Sequence, residues 1–199
     1  MKKLMMAAAI VCAAAVAQAG AIKWSSTAVS GADIYAQDGE TKISTWAAKT
    51  GYSITDAILM NADDLSQANL VKGLREETWT WGTDKLDSKA VASSKISAKT
   101  TADLGDLSGT KFNVYYAILA TDADGNQAVL LSELKEVTVP VGSGSATAAW
   151  GTTAPGFSKT DYGTGDYAGA GWYSVVPEPT SGLLLLLGVA GLALRRRRA

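Results

Sequence analysis

The chain has 199 residues, of which 18 are basic and 19 acidic, with one cysteine and no histidine. This length allows one or two domains. The lack of histidine excludes Ser-His-Asp and Cys-His triads and removes the commonest zinc ligand. We therefore predict a protein that is not an enzyme and that has no cofactor and no metal.

The N-terminal segment has the three parts of a secretory signal peptide. Lys2-Lys3 precede an apolar run from Leu4 to Val16, and Ala17 and Ala19 form a small-x-small cleavage site. We predict that residues 1–19 are a signal peptide, which the Sec translocon exports and signal peptidase removes. The lone cysteine, Cys12, leaves with it, so the mature chain has no disulfide.

The charges are distributed unevenly along the chain. Between positions 20 and 176 the sequence has twelve basic and eighteen acidic residues, a net charge of −6. Because phosphate binding requires clustered lysine and arginine, this acidic body argues against nucleic acid as a partner.

The body, residues 20–141, is predicted to be a single β-sandwich domain, all-β or β-rich with a short helix. Its clearest strand is Phe112–Thr121, which is apolar on both faces and therefore central. A turn at Asp122–Asn126 and a returning strand at Gln127–Leu131 follow. Pro140 confines the next strand, Lys135–Val141, to an edge or to its end.

Earlier segments give weaker signals. Asp63–Lys72 is predicted to be a short helix, with Asp63 as its cap and Gly73 as its stop. Asp87–Thr101 fits either a polar helix or a pair of strands. Four short strands are predicted at Ile22–Val29, Ile43–Trp46, Ile54–Met60 and Glu76–Trp81. The stretch FNVYYAILATDADGN, residues 112–126, resembles a late strand of a fibronectin type III or immunoglobulin-like sandwich.

Residues 142–175 differ in composition from the body. Glycine, serine and threonine dominate, and six aromatic residues are interspersed: Trp150, Phe157, Tyr162, Tyr167, Trp172 and Tyr173. We predict a flexible linker with one last strand around Trp150. The aromatic residues either complete that strand or stack on sugar rings.

Candidate sites in the body are few. The spacing of Trp79 and Trp81 puts both indoles on one face of the predicted strand, where they are either sandwich core or a platform for glycan contact. The acidic pair Glu76-Glu77 cannot act as a glycosidase pair, because adjacent residues of a strand point to opposite faces. The pair Asp63-Asp64 is better explained as polarity at the start of a helix. Asp122-Ala-Asp-Gly-Asn fails the EF-hand spacing, which favours a hairpin turn over a weak calcium site.

The C-terminal 24 residues form a different kind of segment. Val176-Pro177-Glu178-Pro179 is held extended by its two prolines, and residues 180–194 follow as a predicted short transmembrane helix. Fifteen helical residues span about 22 Å, less than the ~30 Å hydrocarbon core. The cluster Arg195, Arg196, Arg197 and Arg198 is a stop-transfer signal retained on the cytoplasmic side.

This order of parts, in residues 176–199, resembles the PEP-CTERM sorting signal of exported bacterial proteins. The resemblance implies recognition of the motif at 177–179 by an exosortase, a membrane-embedded processing enzyme. It also implies a membrane intermediate with the body outside the cytoplasm, and then a place at the cell surface or in extracellular polysaccharide. A simple C-terminal membrane anchor is the alternative.

We predict an exported, exosortase-sorted surface or matrix protein with a structural or adhesive role. A carbohydrate-binding module for exopolysaccharide is the alternative for the body, with Trp79 and Trp81 as candidate glycan contacts.

Overall fold

The computed structural model describes residues 20–26, 33–102, 104–150 and 166–175. Within these ranges two short helices occur, α1 (Ile43–Thr50) and α2 (Gln67–Arg75), with a single 3-10 turn at Gly105–Leu107. The strands are β1 (Ala21–Ser25), β2 (Ser53–Asn61), β3 (Lys85–Ala90), β4 (Lys99–Thr100), β5 (Lys111–Thr121), β6 (Gln127–Leu131), β7 (Lys135–Thr138), β8 (Ser145–Ala149) and β9 (Gly171–Val175). The body was predicted to be all-β or β-rich with a short helix; the β-rich alternative is confirmed, and the described residues form two short helices instead of one.

The larger sheet has six strands, in the order β3-β2-β5-β6-β9, with β7 beside the first part of β5. All of its pairings are antiparallel. Strand β5 is central, and its residues from Val114 to Ile118 are all buried. A strand that is covered on both faces must be apolar on both, which is the pattern that predicted its position.

The hairpin predicted after β5 is confirmed. Strands β5 and β6 pair with Thr121 opposite Gln127, and the Asp122 carboxylate accepts hydrogen bonds from the backbone N–H groups of Asp124 and Asn126, at 3.0 and 2.7 Å. Gly125 adopts φ 84°, the left-handed conformation that the turn requires. Hydrogen bonds that the Asp122 carboxylate accepts from the Asn126 side chain and from the turn's N–H groups hold the pKa of Asp122 below its ordinary value.

The smaller sheet has three strands, in the order β4-β1-β8, with β1 and β8 parallel. Its buried side chains, including Ile22 and Trp24, join one face of the large sheet in a common core. In that core the rings of Trp150 and Tyr116 are nearly perpendicular, at 84°, with ring centroids 5.0 Å apart.

Helix α2 covers the opposite face of the large sheet. Leu70, Val71 and Leu74 form a second core cluster there with side chains of β2, β5, β6 and β9. The large sheet therefore lies between the small sheet and α2.

Two of the short strands predicted before β5 are wrong. Ile43–Trp46 forms the start of α1 instead of a strand. Ile43 is buried, and the ring of Trp46 stacks on that of Tyr52 with ring centroids 4.7 Å apart. Gly51, at φ 76°, ends the helix. Glu76–Trp81 forms no strand, because the N–H groups of Thr78 and Trp79 turn back to the carbonyl oxygen of Gly73.

The other segments before β5 are placed as follows. Strand β2 confirms the prediction at Ile54–Met60. Strand β1 confirms the start of the predicted strand Ile22–Val29 and ends at Ser25. The Asp87–Thr101 segment contributes to two strands, and these join different sheets: β3 pairs with β2, and β4 with β1.

Helix α2 begins later and ends later than predicted. Its N-cap is Ser66, whose hydroxyl accepts from the N–H of Asn69 at 3.2 Å, and it continues through Gly73 to Arg75. The Asn61 side chain holds Asp63 and Asp64 in the preceding turn, with hydrogen bonds of 3.0 and 2.8 Å. Asp63 is therefore a turn residue and not the cap.

The described part of residues 142–175 contributes two strands to the sheets. Strand β8 pairs with β1, and β9 pairs with β6 from Gly171 opposite Leu131 to Val175 opposite Gln127. Trp172 is buried in the first core and donates from its indole to the carbonyl of Tyr35 at 3.0 Å. Among the described helices none is long and apolar enough to cross a membrane, and the predicted membrane segment 180–194 lies outside the described residues.

Candidate functional site

The sequence-predicted site residues fall into two groups. Trp79 and Trp81 are described, and they lie in the connection between α2 and β3, residues 76–84, here called the aromatic loop. The remaining predicted sites lie outside the described residues: Ala17 and Ala19, Val176 to Pro179, and Arg195 to Arg198.

The aromatic loop is held by local hydrogen bonds at both ends. At its start, the carbonyl oxygen of Gly73 accepts from the N–H groups of Thr78 and Trp79, at 2.9 and 3.2 Å. At its end, the Thr83 N–H donates to the carbonyl of Thr80 at 3.1 Å, and the indole of Trp79 donates to Asp84 at 3.1 Å. These bonds fix a short irregular segment that has no strand partner.

The two indoles do not form the flat surface that a strand would give. Their ring centroids are 6.1 Å apart and their planes are inclined at 88°. Both side chains are half-buried and pack against the second core cluster. The pair therefore presents two perpendicular aromatic walls, and one pyranose ring could stack on only one of them at a time.

A cavity of about 370 Å³ opens between this pair and the large sheet. Its apolar wall is formed by Leu74, Trp79, Trp81, Leu119 and Val175, and Glu77, Thr80 and Gln127 supply polar groups. This volume is at the lower end of the range for small-ligand sites. The cavity therefore combines aromatic faces with a few hydrogen-bonding groups.

Val175 connects this cavity to the end of the described chain. It is the last residue of β9, is 4% exposed, and forms part of the cavity wall. The preceding residue, Ser174, accepts a hydrogen bond through its carbonyl oxygen from Arg75 Nε at 3.1 Å. The chain thus leaves the sheet at the cavity. This proximity could not be predicted from the sequence, because β9 lies about ninety residues after α2 and the aromatic loop.

Three of the four described tail aromatics belong to the core, and the fourth, Tyr167, is 36% exposed. Trp150, Trp172 and Tyr173 are at most 2% exposed. Tyr167 stacks on Tyr173 with ring centroids 5.7 Å apart and donates to Gln67 Oε1 at 2.5 Å, and burial raises the pKa of Tyr167. The predicted last strand around Trp150 corresponds to β8, which ends at Ala149. Trp172 and Tyr173 lie in a further strand, β9, that was not predicted and that replaces the end of the predicted linker. Phe157 and Tyr162 lie outside the described residues.

The acidic residues of the described ranges form no group of three or more metal-ligating side chains. Lys72 lies 3.8 Å from Glu76, one helical turn away, as an exposed pair. Asp33 is mostly buried and lies between Lys42 at 2.8 Å and Lys95 at 3.9 Å. Its hydrogen bond and charge raise the pKa of Lys42.

Comparison with known proteins identifies the tail. The model of the PEP-CTERM protein-sorting motif matches residues 175–198. No curated protein and no solved structure matches the chain, and the fibronectin-like resemblance of the body is not confirmed. The C-terminal segment is a PEP-CTERM sorting motif, which identifies an exported protein that is sorted by exosortase.

Proposed function

We propose that this protein is a structural or adhesive component of the cell surface or its extracellular polysaccharide, delivered there by exosortase and without catalytic activity of its own. The observation that carries the proposal is the continuity between body and signal. Strand β9 ends at Val175, the residue at which the sorting motif begins. Because the body and the sorting motif are continuous along the chain, the body is sorted together with the motif.

The proposed architecture is a single β-sandwich unit between a cleaved signal helix and a short transmembrane helix at 180–194. Two sheets sharing one apolar core support the sandwich, and the twelve apolar residues from Leu183 to Leu194 support the helix. Arg195 to Arg198 hold the end of the chain at the cytoplasmic side, so the body lies outside the cytoplasm in the membrane intermediate.

The mass of the protein recovered from the cell surface tests the sorting step. We expect a species that lacks residues 1–19 and part of the tail, whereas a simple anchor would keep Pro177 to Arg198 intact. A variant with alanine at 177, 178 and 179 should keep its tail and remain in the membrane. The matched control is Lys159→Ala, which changes a tail-proximal charge outside the motif.

The structural role requires a separate test. A strain without this protein should lose cell attachment or matrix cohesion, and wild type should restore it while the alanine variant at 177–179 does not. A change in the chain length or sugar composition of the polysaccharide itself would indicate an enzyme and would contradict the proposal.

A second candidate function is glycan binding by the body. The cavity beside Trp79 and Trp81 favours it, because an indole face next to Glu77, Thr80 and Gln127 combines a stacking surface with hydrogen-bonding groups. Affinity electrophoresis in the host's exopolysaccharide should retard the protein, and Trp81→Ala should abolish the retardation. Unchanged mobility of wild type would remove this candidate.

A further inference from the structure

The cavity of the aromatic loop lies beside the residue at which the sorting motif begins. Val175 forms part of its wall, and Pro177 is only two residues further along the chain. An extended proline-rich segment advances about 3.1 Å per residue, so four residues from 176 cover roughly 12 Å. The segment can therefore reach the cavity without any intervening loop.

The chemistry of the cavity and that of the sorting motif are complementary. Proline-rich segments dock in aromatic-lined grooves, because the polyproline conformation is already formed and proline has no N–H to satisfy. The cavity offers two indoles, Trp79 and Trp81, and the motif offers two prolines.

The geometry of the two partners also agrees. A polyproline helix has three residues per turn, so successive side chains point about 120° apart. In that conformation Pro177, Glu178 and Pro179 would occupy three different faces. The indole planes meet at 88° and form a notch with two walls. Two faces of the segment can contact these walls while the third remains in solvent.

We propose that the cavity of the aromatic loop is an intramolecular receptor for residues 176–179 of the same chain. Pro177 and Pro179 contact the indoles of Trp79 and Trp81, and Glu178 points away from Glu77 and Asp84 into solvent. Because the tether is so short, the effective concentration of the segment is on the order of millimolar, and weak contacts suffice for docking. The motif is thereby held in a fixed extended shape beside the body.

Indole NMR of the full-length, signal-free chain in detergent micelles tests the proposal. The side-chain N–H resonances of Trp79 and Trp81 are assigned with single Trp→Phe variants. We expect nuclear Overhauser contacts between the proline rings and both indoles. Replacing Pro177 and Pro179 with serine should remove these contacts and shift the resonances of Trp79 and Trp81, but leave that of the buried Trp24 in place.

Far-UV circular dichroism and the thermal unfolding of the proline variant check that its body is folded as in wild type, so that the test remains decisive. A control variant with glutamine at Arg195 to Arg198 alters the same tail but should shift neither indole. Unchanged indole resonances in the proline variant would overturn the proposal. A shift of both indoles on addition of the host's exopolysaccharide, equal in wild type and in the proline variant, would show a glycan site instead.

Discussion

The Cβ of Trp79 lies 2.8 Å from the position that a Cβ on Gly73 would occupy. Gly73 is buried in the interior of α2, and its carbonyl oxygen also accepts from the N–H of Trp79 at 3.2 Å. The missing side chain lets the aromatic loop fold directly onto the helix. This close approach sets the position of Trp79, which forms part of the cavity wall.

Gly73→Ala should destabilise the protein by about 1–3 kcal/mol, because the new methyl group overlaps Trp79. At an unobstructed helix position the same change stabilises by roughly 1 kcal/mol, so the sign of the effect is diagnostic. Urea unfolding measures it, and tryptophan fluorescence of the folded state should also change. Gly105→Ala, in the 3-10 turn, is the control and should be nearly neutral, because a Cβ added there meets no atom within 4 Å beyond the neighbouring residues. A gain in stability for Gly73→Ala would contradict the close contact.

Asp87 joins the two sheets through a part-buried hydrogen bond. Its carboxylate accepts from the indole of Trp24 at 2.8 Å and from Lys99 Nζ at 2.5 Å. Asp87→Ala should cost about 1–3 kcal/mol, because the fully buried indole N–H of Trp24 loses its acceptor. Asp87→Asn keeps an acceptor and should cost less.

A double-mutant cycle in urea separates this bond from general packing. Trp24→Phe removes the indole donor, so Asp87→Ala should cost less in that background than in wild type. Fully additive effects of the two substitutions would show that the pair does not interact.

The buried Tyr115 predicts a loss of stability in alkali. Its hydroxyl donates to the carbonyl of Leu65 at 2.7 Å, and burial raises the pKa of Tyr115 well above the ordinary tyrosine range. In the unfolded chain this phenol ionises near pH 10. The stabilisation is therefore complete below about pH 10 and is lost as the pH rises toward the folded-state pKa.

Melting temperature as a function of pH checks this prediction. Tyr115→Phe should be less stable at neutral pH by about 1 kcal/mol, since the hydrogen bond is lost, and should show a flatter decline above pH 10. An unchanged alkaline slope in this variant would assign the decline to other groups, such as Tyr167, whose pKa burial also raises.

Two predictions concern Gly20: it is the first residue of the mature chain, and a side chain at this position destabilises the fold. It is buried, and a Cβ there would overlap the carbonyl oxygen of Pro140 and lie 2.6 Å from Val139 Cγ1. Gly20→Ala leaves the small-x-small site at residues 17–19 unchanged, yet it should destabilise the mature protein by about 1–3 kcal/mol. Intact mass should place the N-terminus at Gly20, and thermal unfolding measures the cost. Ser145→Ala, at the exposed start of β8, is the control and should have little effect.

Much of the large sheet could be predicted from the sequence, because its strands carry their own local pattern. Strand β5 is apolar on both faces, and β2, β6 and β7 are bounded by turn residues or alternate in polarity. The hairpin at Asp122–Asn126 followed from turn chemistry alone. The segment Ile43–Thr50 did not, because a short apolar run fits a helix or a strand equally well until its packing partners are known.

The cellular destination of this protein could be predicted from its sequence alone. Signal peptides and the PEP-CTERM motif are linear signals, read by the export and sorting machinery in chain order, so they need no fold to be recognised. Tertiary structure alone decided the cavity: it set Trp79 against Gly73, turned the two indoles perpendicular, and brought Val175 beside them. Residues 166–175 have too little alternation of polar and apolar residues to predict a strand. Strand β9 forms because it pairs with β6 and packs its apolar side chains into the second core cluster.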